Sequence, residues 1–176
     1  YNDVIDLLYP YLEKNNIKIV QIGSKQEHGI SKCVHHQGQT TIKQAAYIIK
    51  NSLLHLGTDS FSTHVASGFN KKIVSLYSVL YKECCGPYWG DANEHALLEP
   101  NRGNKKASFS DSEYPKTINT IMPEKVAVAV LDLLNIPNTL NNIENPYGNS
   151  YVTDKIIDIL ENIEIKTNLL NKEITY

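Results

Sequence analysis

Hydrophobic and polar positions in the first 135 residues follow two spacings, one typical of helices and the other of buried strands. Apolar residues at intervals of three and four predict amphipathic helices, at residues 3–14, 42–53 and 122–134, with a shorter helix at 60–69. Short apolar runs bounded by polar turns predict strands, at residues 18–23, 54–58, 72–77 and 95–99, with a short strand at 33–36. Helices and strands therefore alternate along this part of the chain.

Details of three helices sharpen this prediction. Pro10 lies inside the first helix and predicts a kink or a break near Tyr9. Thr40 and Thr41 precede the second helix as candidate N-caps, and Pro123 is expected at the first position of the last helix. The predicted buried side of the second helix is made of apolar residues, namely Ile42, Ala45, Ala46, Ile48, Ile49 and Leu53.

Strands that alternate with helices indicate an α/β fold, a parallel sheet with helices on both faces. Ligands of such sheets bind at the carboxyl ends of the strands. Gly23, Asp59 and the pair Tyr77 and Ser78 all follow predicted strands, so we expect them to cluster on one edge.

The same pattern outlines the organisation of the chain. Residues 1–135 are predicted to form one domain, 136–150 a linker, and 151–176 a tail with a helix at 152–162 and a strand at 163–167. Two long loops are expected, at 79–91 and 101–120. The first residue, Tyr1, is not Met and lies inside a predicted helix, so we expect a piece of a longer polypeptide whose first strand precedes it.

Composition narrows the class of protein. The chain has 176 residues and a formal net charge of −2, which argues against a face that binds nucleic acid by neutralising phosphates. No apolar run is long enough to span a membrane, and no signal peptide is visible. The three cysteines form no disulfide pattern, so a reducing, cytoplasmic location is expected. Cys84, Cys85 and His95 could share a metal, but zinc ligands usually come in pairs at short gaps, and no metal is predicted.

The strongest candidate for chemistry is the junction between the strand at 54–58 and the following helix. The start of a helix presents free N–H groups and the positive end of its dipole, which favours an anion such as phosphate. Asp59 and Ser60 lie at this junction, and His64 lies one turn later. Alternatively, Asp59 is only an N-cap and His64 a half-buried polar side chain.

Four segments, in this order, resemble the C-terminal, donor-binding half of GT-B glycosyltransferases of the heptosyltransferase-like family, glycosyltransferase family 9. They are QIGSxxE at 21–27, TDSxxxHVA at 58–66, VxLY at 74–77 and MPExV at 122–126, with a helix from Thr41 between the first two. The resemblance covers about residues 1–135 and implies a Rossmann-like domain, one half of a GT-B fold.

The resemblance implies a nucleotide-diphosphate-sugar donor such as ADP-heptose and an inverting transfer that needs no metal or other cofactor. It implies that Asp59, Ser60 and His64 contact the sugar and diphosphate, together with the backbone N–H groups of residues 60–62. Glu27 falls on the acid that holds the ribose, and Thr40 lies where the backbone meets the base. The full set of donor-binding candidates is Gly23, Ser24, Glu27, Thr40, Asp59, Ser60, Phe61, Ser62 and His64.

Phe61 departs from the family pattern, which has glycine there so that the backbone can approach a phosphate. The resemblance places the catalytic base in an N-terminal domain of the same polypeptide, so this chain alone is expected to bind a donor without transferring sugar. The implied acceptor is a glycan of the lipopolysaccharide type. Alternatives are a non-catalytic binding or structural module of the same fold and a nucleotide-sugar 2-epimerase. Tyr81, Tyr88 and Trp89 could stack on a sugar or base, or pack against the other domain.

Overall fold

The computed structural model of the protein describes residues 1–104, 106 and 116–140. Five α-helices and five strands are found in these ranges. The helices are α1 (Asn2–Lys14), α2 (Ile42–Lys50), α3 (Phe61–Gly68), α4 (Lys82–Cys85) and α5 (Pro123–Leu133). The strands are β1 (Val20–Gln21), β2 (Val34–His35), β3 (Leu54–Thr58), β4 (Lys72–Leu76) and β5 (His95–Leu98), and 3₁₀ helices cover Ala92–Glu94 and Thr117–Thr120.

All strand pairs are parallel, which confirms the predicted fold class. The strands form a two-stranded sheet, β1–β2, and a three-stranded sheet in the order β3–β4–β5. In the larger sheet Leu56 lies opposite Val74, and Val74 lies opposite Ala96. The carboxyl ends of β3, β4 and β5 therefore meet at one edge, whereas Gly23 follows a strand of the other sheet. The expectation that Gly23 shares one continuous edge with Asp59 is not met by the pairing.

Helices cover both faces of β4, the central strand of the larger sheet. Ile73 packs with Ile49 of α2 and Ala66 of α3, while Val74 and Leu76 pack in the larger core with α1 and α5. Successive side chains of a strand point to opposite faces of the sheet, so Ile73 packs against the helices on one face and Val74 against those on the other. The nearly continuous burial of β4 is typical of a strand covered on both sides.

Helix α1 runs through Pro10 without a break. Of the two outcomes predicted near Tyr9, a kink or a break, the break is therefore wrong. The buried face of α1 packs on α5, and this packing holds α1 in place. The face is formed by Val4, Ile5, Leu8 and Leu12. Pro10 itself is exposed. Water can therefore solvate the carbonyl of Asp6, which loses its helical partner because proline has no N–H.

Helix α2 begins as predicted and ends earlier. The Thr41 hydroxyl accepts a hydrogen bond from the Gln44 N–H at 3.3 Å, and the Gln44 side chain accepts one from the Thr41 N–H, which together make a capping box. Ile49 is buried, but Ile42 is 71% exposed and Leu53 is 60% exposed. The predicted buried side is wrong at these two positions, because Ile42 opens the helix on its solvent side and Leu53 follows its end.

The loop predicted at 79–91 is not wholly irregular, since it contains the one-turn helix α4. In the predicted loop at 101–120, the described residues include the 3₁₀ helix Thr117–Thr120. Helix α5 has Pro123 at its start, as expected, and Met122 as its N-cap.

The chain divides into two units after Asn142. In the first unit, Ile136 and Leu140 are buried in the larger core, so the first residues of the predicted linker pack on this unit. The rest of that linker, and the helix and strand predicted at 152–162 and 163–167, lie outside the described residues.

Candidate functional site

The carboxyl edge of the larger sheet places Asp59 beside the end of β4. The Asp59 N–H donates to the Leu76 carbonyl at 3.1 Å, and the Tyr77 N–H donates to the Leu98 carbonyl at 2.9 Å. These two bonds continue the parallel ladders by one residue beyond each strand. Asp59 and Tyr77 are thus neighbours at this edge, as the sequence predicts.

Helix α3 begins directly after Asp59, with Ser60 as its N-cap. Asp59 is therefore one residue too early to be the N-cap, and the alternative that gave it only this role is wrong. The Ser60 side chain makes no capping bond; its hydroxyl pairs instead with that of Ser62 at 2.9 Å. The first N–H groups of a helix have no partner within the helix. Two hydroxyls and uncapped N–H groups thus lie together at the positive end of the helix dipole.

His64 faces Asp59 across the first turn of α3. Its Nε2 lies 4.0 Å from Asp59 Oδ1, and the His64 side chain is 44% exposed. The pair is open to solvent, so a ligand could contact both side chains. This geometry brings together Asp59, Ser60, Ser62 and His64, four of the predicted donor-binding residues.

Phe61 is the first residue of α3 and is 58% exposed. Its backbone is helical, so this position does not require the conformational freedom of glycine. The aromatic ring adds bulk next to the uncapped N–H groups.

A second group of predicted residues lies after β1. The Ser24 N–H donates to Glu27 Oε1 at 2.9 Å, and the Glu27 N–H donates to the Ser24 carbonyl at 3.2 Å. The Glu27 carboxylate rests against Gly23, which has a φ of +153°, and a Cβ at Gly23 would overlap Glu27 Oε2. Gly23 therefore permits the position of Glu27 in this turn.

Thr40 lies in the loop that leads into α2. The Gly38 N–H donates to the Gly23 carbonyl at 2.9 Å, which links this loop to the turn that carries Glu27. Thr40 lines a shallow, open cavity of about 480 Å³, together with His36, Lys43 and Tyr47. The loop that carries Thr40 is thus bonded to the turn that carries Glu27.

An ion pair at the carboxyl edge of β5 was not predicted from the sequence. Arg102 Nη2 lies 3.1 Å from Glu99 Oε1, and the Arg102 side chain is only 10% exposed. Burial tends to raise the pKa of Glu99, but hydrogen bonds and positive charge from Lys82 and Arg102 outweigh it and lower that pKa. One signal was available, because Arg102 is the only arginine of the chain.

Two further groups near Asp59 were not predicted as site residues. Burial raises the pKa of the Tyr77 hydroxyl, and the charges of Asp59, Cys85 and Glu99 add to this effect. The Tyr77 hydroxyl oxygen is buried and makes no hydrogen bond of standard geometry. Burial likewise raises the pKa of the Cys85 thiol, with Asp59 acting in the same direction.

Below the site, His55 of β3 is packed against α3. Its Nε2 lies 3.5 Å from the Thr63 hydroxyl, which donates to the Thr58 carbonyl at 3.0 Å. Burial lowers the pKa of His55 from 6.5 to about 4. The imidazole is therefore neutral at pH 7 and supports the start of α3 without adding charge.

The stability of the protein is expected to fall as the pH drops from about 6.5 to 4. In this window the unfolded chain binds a proton at His55 that the folded chain does not, so the free energy of unfolding increases with pH. At about 1.4 kcal/mol per pKa unit, the loss over the whole window is at most about 3.5 kcal/mol. Urea unfolding at pH 7 and pH 4.5 measures it. His55→Gln should reduce the difference without abolishing it, because burial also lowers the pKa of His95. An unchanged difference would exclude His55 as a source.

Across residues 1–104, 106 and 116–140, no group of three or more His, Cys, Asp or Glu could hold a metal ion. No helix within the same ranges is long and apolar enough to cross a membrane.

Comparisons with known proteins agree with the fold. A family model described as Glycosyltransferase family 9 (heptosyltransferase) matches residues 13–115. Two solved structures each match 76% of the chain. One is the glycosyl transferase family 9 protein of Veillonella parvula DSM 2008, at 20% identity and a TM-score of 0.56. The other is the E. coli ADP-heptose lps heptosyltransferase II, at 19% identity and a TM-score of 0.57.

At these identities the structural likeness shows the fold. The chain spans 40% of the first of those proteins and 41% of the second. A search of curated proteins gave no match.

Proposed function

The chain belongs to glycosyltransferase family 9, and from this premise we propose that it binds the nucleotide-diphosphate-sugar donor of a heptosyltransferase-like reaction. The observation that carries the proposal is the start of α3, where Asp59, Ser60 and His64 meet at the carboxyl end of a parallel strand. This is the edge at which open parallel sheets bind their ligands. The proposed donor is ADP-heptose or a closely similar nucleotide sugar.

In this proposal the diphosphate binds at the start of α3. The N–H groups of residues 60–62 donate to its oxygens, and the helix dipole favours its negative charge. The hydroxyls of Ser60 and Ser62, now paired with each other, would turn to the phosphates. His64 adds a donor from the next turn, and the Asp59 carboxylate accepts hydrogen bonds from the sugar hydroxyls.

The nucleoside is assigned to the second group of residues. The Glu27 carboxylate can accept hydrogen bonds from the two ribose hydroxyls, as acidic residues do in other dinucleotide sites. The turn of Gly23 and Ser24 holds this carboxylate. The backbone around Thr40, whose loop is bonded to this turn through Gly38, is assigned to the base.

The reaction proposed for the whole enzyme is an inverting transfer to a glycan of the lipopolysaccharide type, with no metal or other cofactor. The contribution of this chain is to stabilise the leaving nucleotide, because fixed donors face the negative charge that grows on the diphosphate in the transition state. The base that deprotonates the acceptor is assigned to an N-terminal domain of the same polypeptide.

Binding of ADP, UDP, GDP and CDP, measured by calorimetry, tests the proposal. The protein is expected to select one of them, and His64→Ala is expected to weaken its binding at least tenfold. Asp59→Ala is expected to weaken binding of the corresponding nucleotide sugar at least tenfold, because Asp59 is assigned to the sugar hydroxyls. Asp6→Ala is a matched control at an exposed position outside the site. It should bind like the unmodified protein. If the unmodified protein binds none of the four, or if both site variants bind normally, the proposal is wrong.

One observation favours a second candidate, a non-catalytic module that keeps the fold for recognition. The exposed Phe61 ring stands where the family pattern has glycine, next to the proposed diphosphate. Transfer of sugar from a nucleotide sugar by the protein would exclude this candidate. Nucleotide binding without any transfer or donor hydrolysis would favour it.

A further inference from the structure

The side chain of Arg102 makes several contacts with the loop that follows β4. The Arg102 Nε–H donates to the Ser78 carbonyl at 2.9 Å, and its Nη2 donates to the Leu80 carbonyl at 2.6 Å. The guanidinium also lies over the Tyr81 ring, 4.6 Å from its centroid. Arg102 thus fixes the path of the chain over residues 78–81.

Glu99 locks the guanidinium in this position. Its Oε1 accepts hydrogen bonds from Arg102 Nη2 at 3.1 Å and from the Lys82 N–H at 3.1 Å. The same carboxylate oxygen therefore joins the start of α4 to the end of β5. Such a planar, forked donor set is specific to arginine, because a lysine ammonium is a point charge that cannot span these acceptors.

The held loop borders the proposed donor site. It leaves the sheet at Tyr77, directly beside Asp59. It then passes through α4, whose Cys85 lies close enough to Asp59 for the carboxylate to affect the thiol. Burial raises the pKa of the Tyr77 hydroxyl, and Asp59, Cys85 and Glu99 lie close enough for their charges to raise it further. The loop therefore forms a wall of the site at Asp59.

We propose that Arg102 is a positioning residue for the donor site, holding residues 78–85 against Asp59 so that this wall is formed before the nucleotide sugar binds. The proposal rests on the proposed function. Arg102 touches no part of the donor. It acts through the carbonyls of Ser78 and Leu80 and through Glu99.

Two variants and one control test this role. Arg102→Gln removes the charge and the fork, whereas Arg102→Lys keeps only the charge. Lys32→Gln removes a cation from an exposed ion pair with Asp6, away from the site. The measurements are the affinity for the nucleotide selected by calorimetry, the midpoint of thermal unfolding, and the alkylation rates of Cys85 and Cys84 by iodoacetamide. Cys84 is exposed and serves as the reference thiol.

Arg102→Gln is expected to weaken nucleotide binding about tenfold and to raise the ratio of Cys85 to Cys84 alkylation several-fold, because the loop leaves Asp59. Arg102→Lys should show the same weaker binding and raised alkylation ratio. Millimolar methylguanidinium should partly restore the affinity and the ratio in Arg102→Gln. Lys32→Gln should match the unmodified protein. A lower unfolding midpoint with unchanged affinity and alkylation ratio would overturn the proposal. If Arg102→Gln does not fold, Arg102→Lys decides, and normal affinity and alkylation in it would overturn the role.

Failure of the proposed function is separately visible. A protein that binds no nucleotide refutes the donor site, whereas the alkylation ratio still reports whether Arg102 holds the loop. If the protein binds nucleotide but Arg102→Gln leaves the ratio of Cys85 to Cys84 alkylation unchanged, only the role of Arg102 is refuted.

Discussion

Gly23→Ala is expected to weaken nucleotide binding at least tenfold and to lower the free energy of unfolding by about 1–3 kcal/mol. The added Cβ would overlap Glu27 Oε2 and lie 2.7 Å from Glu27 Cδ, so the carboxylate would have to leave the turn. The backbone φ of +153° adds strain, because residues with a Cβ rarely adopt it. The affinity loss follows from displacing the group assigned to the ribose. Calorimetry and urea unfolding measure the two effects.

The chain offers a matched control in Gly68→Ala. Gly68 is the last residue of α3, and a Cβ there would meet nothing within 4 Å. Alanine in a helix is favoured over glycine by about 0.5–1 kcal/mol, so this variant should be more stable and bind normally. If Gly23→Ala binds as well as Gly68→Ala does, Glu27 does not hold the nucleotide.

Leu8→Ala is expected to lower the free energy of unfolding by about 3 kcal/mol. The midpoint of thermal unfolding is expected to fall by an amount on the order of 10 °C. Leu8 is 1% exposed and lies on the face of α1 that packs against α5. Shortening it removes apolar contact and leaves a cavity between two helices, which can close only in part. Urea unfolding followed by circular dichroism gives the change.

The same substitution at Leu53 is the control, because that side chain is 60% exposed and its loss should cost less than about 0.5 kcal/mol. Equal losses at the two positions would mean that α1 does not pack on α5 as the structure has it.

Most of the fold could be predicted from the regular spacing of apolar residues. The burial of Leu8 and Leu12 follows from helical spacing, and the central place of β4 follows from its unbroken apolar run. Both are decided by where apolar side chains point, which the sequence displays directly. The helix that begins at Pro123 was likewise marked by the residue types at its start.

Most of the wrong predictions concern positions whose burial or conformation depends on residues far away in the sequence. Ile42 and Leu53 continue an apolar pattern, but whether such a side chain is covered depends on neighbours elsewhere in the chain. Proline in α1 was expected to break the helix because its local cost is visible, whereas the compensating packing on α5 is not. Helix α4 has only four residues, too few for a periodic signal.

The candidate site was anticipated in its parts but not in its arrangement. The pattern around Asp59 and His64 indicated a helix start at the end of a strand, and the structure has one. Arg102 was missed because its acceptors are mostly backbone carbonyls, at Ser78 and Leu80, and no side-chain pattern marks a carbonyl. The pairing of β1 with β2, apart from β3, depends on backbone hydrogen bonds that the sequence does not encode locally.

Ser67, at the far end of α3, has a practical consequence for optical work on this protein. Its hydroxyl accepts a hydrogen bond from the Trp89 N–H at 2.9 Å and donates to the Trp89 carbonyl. Trp89 is the only tryptophan of the sequence, and its indole is 58% exposed with the Tyr88 ring at its edge. Tryptophan fluorescence thus comes from one indole, and the backbone of that residue is hydrogen-bonded to Ser67 of α3. Emission, quenching and anisotropy can therefore report on α3 without an attached dye.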